Sequence, residues 1–298
     1  QQSDLFTWAV GLSGKKAVGS NSGEIDFGFP LPIEFKLEQE IYSVFIESSI
    51  TQNALSLDVG VRFDDAMGFS NELSYRANLA YQINHKSSVY VAYNEGFKLP
   101  SFFALAHPLI GNIDLLPEQV KSIEGGVQSQ YGAISAVSLS VYYTNFEDLV
   151  DFEPETFSSV NRGKVVAKGI ELMLKADLTS ELSLNADLNW QDIDIKDENA
   201  ELRRRPKWFG DVRLNWTLDQ INLHLALIAR SRVFDSSIPT GLVNLGGYTS
   251  VNLGVQWQLS DAASLTINLD NALAKTYAQS VGFDLDQVKA RAGVRYSF

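Results

Sequence analysis

Ser250-Val251-Asn252-Leu253-Gly254-Val255-Gln256-Trp257-Gln258-Leu259 places apolar side chains at odd positions and polar ones or glycine at even positions. Successive side chains of a strand point to opposite faces, so this period of two predicts a strand with one apolar and one polar face. The pattern recurs along the chain. Leu182, Leu184, Ala186, Leu188 and Trp190 alternate with Ser183, Asn185, Asp187, Asn189 and Gln191. Val212, Leu214, Trp216 and Leu218 alternate with Arg213, Asn215 and Thr217, and Leu55, Leu57, Val59, Val61 and Phe63 with Ser56, Asp58, Gly60 and Arg62. About fourteen such segments span 3–12, 39–50, 53–64, 72–83, 87–95, 119–131, 134–146, 165–178, 181–192, 207–218, 221–232, 247–260, 262–270 and 289–298, with no convincing helical stretch between them. Their length is close to the roughly 10 residues of a transmembrane barrel strand and exceeds the roughly 5–6 usual in a soluble sandwich.

Composition alone points elsewhere. With 45% hydrophobic residues and a net charge of −12, the average is that of an acidic soluble protein, because it merges two opposite faces. The acidity argues against a nucleic-acid partner. The absence of cysteine excludes a disulfide scaffold and a thiolate metal site. Connections alternate in length: tight links near 51–52, 84–86, 132–133, 179–180, 219–220 and 260–261, long ones at 13–38, 96–118, 147–164, 193–206, 233–246 and 271–288, and an intermediate one at 65–71. Short turns at one end and long loops at the other are the habit of outer-membrane barrels. Trp190 and Trp208 on one side, with Trp216 and Trp257 nearer the other, predict two interfacial girdles. The last segment, 289–298, alternates Ala290, Ala292, Val294, Tyr296 and Phe298 against Lys289, Arg291, Gly293, Arg295 and Ser297. Its terminal Phe298, with Tyr296, resembles the signal read by the outer-membrane barrel assembly machinery.

Several motifs carry a more specific resemblance. Asn94-Glu95-Gly96-Phe97-Lys98-Leu99-Pro100-Ser101 is followed by Gly111-Asn112-Ile113-Asp114-Leu115-Leu116-Pro117-Glu118. Then come Asn161-Arg162-Gly163, Lys168-Gly169-Ile170-Glu171-Leu172, Arg205-Pro206, Gly247-Tyr248-Thr249 and Leu269-Asp270-Asn271-Ala272-Leu273-Ala274-Lys275-Thr276-Tyr277. In this order they resemble the barrel of TonB-dependent outer-membrane receptors from about residue 39 onward. Ile113 and Leu116 depart from the family's usual Pro and Lys, and Ala272-Leu273-Ala274 departs from its later motif. The resemblance implies an all-β, antiparallel transmembrane barrel of roughly 22 strands around an amino-terminal plug. Residues 1–298 then read as its carboxy-terminal portion, with the plug, the TonB box and the early strands absent. The opening Gln1-Gln2-Ser3, without an initiator Met, is consistent with a truncated chain. A complete smaller barrel is the alternative.

The resemblance implies a multi-pass protein of the Gram-negative outer membrane that takes up a scarce bulky nutrient, a ferric siderophore first. Energy comes from TonB through the missing plug. Cobalamin, haem or sugar receptors and a passive porin-type channel are the alternatives, with a soluble β-sheet binding protein behind them. The implied partners are the nutrient, the TonB complex, outer-membrane lipid, lipopolysaccharide and the assembly machinery. No catalytic residues, cofactor or metal are expected: His85, His107 and His224 form no recognisable catalytic motif. Long loops on a rigid scaffold are where binding groups concentrate. The candidates are Phe97, Phe102, Phe103 and His107, which can stack on a ligand, and Arg203, Arg204 and Arg205, which suit anions. Packing of the aromatics on the barrel rim and pairing of the arginines with nearby Asp194, Asp197, Glu198 and Glu201 are the competing roles. Asp148, Asp151, Glu153 and Glu155 can supply oxygen ligands to calcium or simply be solvated. Polar-face charges at Asp58, Arg62, Arg76, Glu171, Lys175, Asp187, Arg213, Arg291 and Arg295 are expected to line the lumen.

Overall fold

The computed structural model describes residues 5–26, 28–196, 201–237, 240–284 and 287–298. Gln1, Gln2, Ser3, Asp197 and Glu198 lie outside them. The elements in chain order are β1 (Leu5–Asp26), β2 (Pro30–Gln52), β3 (Leu55–Ala66), β4 (Glu72–Asn84), β5 (Ser87–Lys98), α1 (Phe102–Ala106), β6 (Glu118–Tyr131), β7 (Ile134–Glu153), β8 (Ser158–Asp177) and β9 (Leu182–Ile195). They continue with β10 (Trp208–Leu218), β11 (Ile221–Arg230), β12 (Val233–Ser237), β13 (Gly241–Leu245), β14 (Tyr248–Ser260), β15 (Ala263–Asp270), β16 (Ala278–Ser280), β17 (Phe283–Asp284) and β18 (Lys289–Tyr296). Fourteen strands form one antiparallel sheet in the order β1 to β11, β14, β15, β18. Each of the fourteen expected segments has its strand. β1 and β18 are the two edges of this sheet.

Register keeps the two faces separate across the whole sheet. Trp208 stands opposite Trp190, and Leu214 stands between Leu184 and Leu225 on the apolar face. Asp187 stands opposite Asp211 and Met173, and Arg213 opposite Asn185, on the polar face. Apolar side chains that would be core in a two-layered protein stay uncovered: Trp190, Trp216 and Trp257 remain 44–45% exposed. Uncovered apolar surface this extensive is the signature of a face that meets lipid or another apolar partner. Among the described residues, the cluster of buried apolar side chains gathers Ala104, Leu105 and Leu115 at α1. On the polar face, bulky rings recline on glycines of the neighbouring strand. A Cβ at Gly126 would sit 2.5 Å from the Tyr90 ring, and one at Gly169 2.5 Å from both Tyr142 Oη and the Trp190 carbonyl.

The long links differ from expectation. Residues 13–38 are not a loop: β1 and β2 pair from Leu5↔Thr51 out to Asp26↔Pro30, and Gly28 takes φ +91° at the tip. The run Gly19-Ser20-Asn21-Ser22-Gly23 has low strand propensity and reads as loop, but the facing Ile33, Phe35 and Leu37 hold it in the ladder. Likewise 147–164 is largely hairpin, paired to Glu153↔Ser158. The link 96–118 contains the helix α1, against the expectation of none, and the links 233–246 and 271–288 carry the small hairpins β12–β13 and β16–β17.

Candidate ligand-binding mouth

The long connections follow every second strand, so they gather at one end of the sheet. The segment 99–117 crosses that end. The Ser101 side chain caps α1 by accepting from Ala104 N–H at 3.1 Å. On one side Phe102 lies against the backbone of Gly19, leaving no room there for a Cβ, and Gln39 Nε2 donates to the Pro100 carbonyl at 3.0 Å. On the other side Ser159 N–H donates to the Ile110 carbonyl at 2.8 Å. Asn161 accepts from Leu116 N–H at 2.9 Å and donates to the Leu116 carbonyl at 3.1 Å. The motifs at 111–118 and 161–163 therefore form a joint between a loop and the β7–β8 hairpin.

This joint changes the roles of the aromatic candidates. Phe97 belongs to β5, where alternation puts it on the outer face with Val91 and Tyr93. Phe102 is occupied on Gly19. His107 is 6% exposed, its Nδ1 accepts from Leu109 N–H at 3.2 Å, and burial pushes its pKa down, favouring the neutral ring. Phe103 packs at a 49° tilt on His107, ring centres 4.6 Å apart, yet stays half exposed, so it is the accessible ring of the four.

The arginine triplet is also divided. Arg203 lies 3.7 Å from Asp151 and 5.3 Å from the centre of the Phe152 ring. Arg204, in a left-handed backbone conformation (φ +57°), donates Nε to Asp235 at 3.1 Å and its own N–H to the Phe234 carbonyl. The segment 201–206 is thereby strapped between the β7–β8 and β12–β13 hairpins. Arg205 has no acid within ion-pair distance among the described residues. The competing expectation of pairing with nearby acids holds for Arg203 and Arg204 only in kind, since their partners come from distant strands. Asp151 and Glu153 are engaged by Arg162, at 3.2 and 2.9 Å, rather than arranged around a cation. The Arg162 guanidinium holds the Glu153 carboxyl below the usual range. Asp235 is 1% exposed; burial pushes its pKa up, but the N–H groups of Val281 and Ser236, together with Arg204, outweigh this and hold it below the usual range.

Above the polar face these elements enclose a recess of about 400 Å³ whose lining includes Lys98, Tyr142, Phe146, Gln191, Arg203 and Arg205. Lys98 pairs with Glu118 at 3.1 Å, which leaves Arg205 as its uncompensated cation. Sequence reasoning found the arginines but missed Lys98, Tyr142, Phe146 and Gln191. The available signal was their polar-face parity near the ends of β5, β7 and β9. At the other end of the chain, Tyr296 and Phe298 make an edge-on ring contact at 5.4 Å, with Phe298 fully exposed.

Known proteins share this architecture. The sheet superposes on the ferric-catecholate import receptor Fiu from K12 E. coli with a TM-score of 0.81 at 14% identity, covering 99% of this chain and 52% of that one. The ferric yersiniabactin uptake receptor FyuA from Yersinia pestis gives 0.76 at 14%, covering 97% and 50%. Among curated sequences, the vitamin B12 transporter BtuB of Vibrio cholerae serotype O1 is 25% identical over 256 residues, 81% of this chain and 40% of that protein. BtuB of Photobacterium profundum is 23% identical over 270 residues, 88% and 44%. The chain thus spans less than half the length of these curated relatives and about half that of the solved structures. The family model described as TonB dependent receptor-like, beta-barrel matches residues 4–272. The chain belongs to this family of outer-membrane receptor barrels, which is a transport family and not an enzyme family.

Proposed function

We propose that this chain supplies the carboxy-terminal barrel wall and part of the outer mouth of a receptor for a scarce bulky nutrient, a ferric siderophore first, in a Gram-negative outer membrane. Transport is energised through TonB acting on a plug. The free edges of β1 and β18 support a larger barrel: in lipid, unpaired backbone groups at a sheet edge are costly, so strands beyond these fourteen complete a closed wall. The apolar face meets lipid, its outer rim meets lipopolysaccharide, and Tyr296 and Phe298 present the carboxy terminus to the assembly machinery.

The observation that carries the ligand class is the mouth recess, lined by unpaired Arg205, by Lys98 paired to Glu118, and by Tyr142 and Phe146. Cations over aromatic walls suit an anionic, ring-bearing chelate of the ferric catecholate kind. The test is binding of a ferric catecholate to the full-length receptor in detergent. Removing a charge-assisted hydrogen bond costs about 1.5–3 kcal/mol, so Arg205→Ala is expected to weaken binding roughly 10- to 100-fold. Unchanged affinity refutes this assignment. A cobalamin ligand is the second reading, favoured by the relatives named as vitamin B12 transporters. It gains if cobalamin binds and the catecholate does not.

A further inference from the structure

The segment 99–117 presents apolar side chains to solvent at the end of the sheet that carries the long connections. Phe103, Leu109, Ile113 and Leu116 stay 50%, 39%, 67% and 53% exposed. They do not belong to the outward apolar face, because the segment hangs on the polar-face side of two hairpins. Its contacts in β1–β2, Gly19, Leu37 and Gln39, share the parity of Ser43, which bonds Asp64 on the polar face. Its contact in β7–β8, Asn161, pairs with Val150, which lines the mouth recess. The exposed side chains are also held in place. Asn112 pins the turn at Ile113: its N–H donates to the Ala104 carbonyl at 2.8 Å, its Nδ2 to the Ser159 carbonyl at 3.1 Å, and its Oδ1 accepts from Asp114 N–H at 3.0 Å. Leu116 is held through both backbone groups by Asn161. Ile113 and Leu116 stand where the family motif has Pro and Lys, so this exposed apolar pair is a departure of this chain from the family pattern.

The apolar surface runs on in two directions. Leu115 packs with Ala104 and Leu105, and the same cluster touches Leu37 and Val150. Val150, with Leu149 and Leu202, lines the recess that holds Arg205. Leu37 begins the polar-face side of β1–β2 beyond the last pairing with β3 at Ile41↔Ala66. There Leu37, Phe35 and Ile33 stand opposite Gly19, Asn21 and Gly23, with no charge among them, while the other face of β2 carries Glu34, Lys36, Glu38 and Glu40.

We propose that this surface holds the aliphatic tail of an amphiphilic cargo whose anionic head sits in the mouth recess. The proposal rests on the receptor reading above and narrows its cargo to an acyl-bearing chelate. A polar head alone leaves Ile113 and Leu116 wetted, and an apolar patch held open to water marks a binding surface. Continuity with the recess decides the occupant, since one molecule reaches both surfaces only by joining an apolar chain to a polar head. The uncharged stripe from Leu37 to Leu31 is about 20 Å long at the rise of a strand, room for a long acyl chain.

The experiment uses the full-length receptor in lipid nanodiscs and two probes, the ferric complexes of bis(2,3-dihydroxybenzoyl)lysine ethylamide and dodecylamide, with empty discs as the blank. The heads are identical and only the tail differs. Each buried methylene tightens binding roughly fourfold, so cover of a few makes the dodecylamide bind at least about tenfold more tightly. That gain is expected to vanish in Ile113→Thr, Leu116→Gln, while the ethylamide keeps its affinity, which also shows that the variant is folded. Equal affinity for the two probes, as when another loop of the receptor already covers this surface, overturns the proposal and spares the receptor reading. So does a gain that the variant keeps, or one that empty discs reproduce. Binding of neither probe overturns the catecholate reading of the mouth and this proposal with it.

Discussion

Asp235→Asn tests whether the mouth is built by a buried carboxylate. Asp235 Oδ2 accepts from Val281 N–H at 2.8 Å, while Oδ1 accepts from Ser236 N–H at 2.9 Å and Arg204 Nε at 3.1 Å. Asparagine keeps the shape but only one acceptor oxygen. If that oxygen serves Ser236 and Arg204, the new NH₂ faces Val281 N–H and two donors meet in a site 1% exposed. One hydrogen bond to a charged group is lost, about 1.5–3 kcal/mol, and a buried donor is left unpaired, about 1–3 kcal/mol more. The side chain of Arg204 is 52% exposed, so nothing is added for the ion pair itself. The two together come to about 2.5–6 kcal/mol, an opening equilibrium shifted by at least on the order of 100-fold. The assay is hydrogen exchange on the full-length receptor at pH 7. The amides of Ser236, Val281 and β12–β13 should lose protection by that factor, while the β10–β11 ladder keeps its own. Protection unchanged within about threefold, or an equal loss in β10–β11, refutes the reasoning. The pH dependence has a definite sign. The folded pKa lies below the ordinary value, so the contribution is complete above pH ~4 and is lost as pH falls through the folded value.

Three further outcomes follow from the same geometry. Gly169→Ala forces a Cβ to 2.5 Å from a backbone carbonyl and should cost about 1–3 kcal/mol, seen as a lower midpoint of heat-modifiable mobility. Gly163→Ala, with nothing within 4 Å, should stay within about 0.5 kcal/mol; equal effects would discount the ring-on-glycine packing. Arg162→Ala strands Glu153, leaves Asp151 only Arg203 at 3.7 Å, and should loosen the β7–β8 tip by about 3 kcal/mol, read as faster proteolysis at 154–157. His107 has a folded pKa below its ordinary value, so the stability it lends the segment 99–117 is complete above pH ~6.5 and lost as pH falls through the folded value. Amide exchange in 99–117 should therefore rise from pH 7 to pH 5 beyond its intrinsic pH effect. A His107→Leu receptor that keeps this rise would place its origin elsewhere.

The division of labour between sequence and tertiary structure follows from range. Alternation is a property of neighbours, so Val251 to Leu259 declare a two-faced strand unaided, and fourteen such segments declare a barrel wall. Parity likewise assigned Asp187, Arg213 and Arg291 to the polar face, where register places them. The ends that carry the long connections were not legible in the same way. Gly19 to Gly23 read as loop because their strand character comes from Ile33 to Leu37 across the ladder. Whether Phe102 faced a ligand or packed on the rim was open until Gly19, far back in sequence, came beneath it. The three consecutive arginines were locally equivalent, and only folding sent Arg203 to Asp151 and Arg204 to Asp235 while leaving Arg205 open. A strand's faces are set by bonds between adjacent residues. The partner of a loop charge is chosen by which distant hairpin the closed ladders bring beside it, and no short-range pattern encodes that choice.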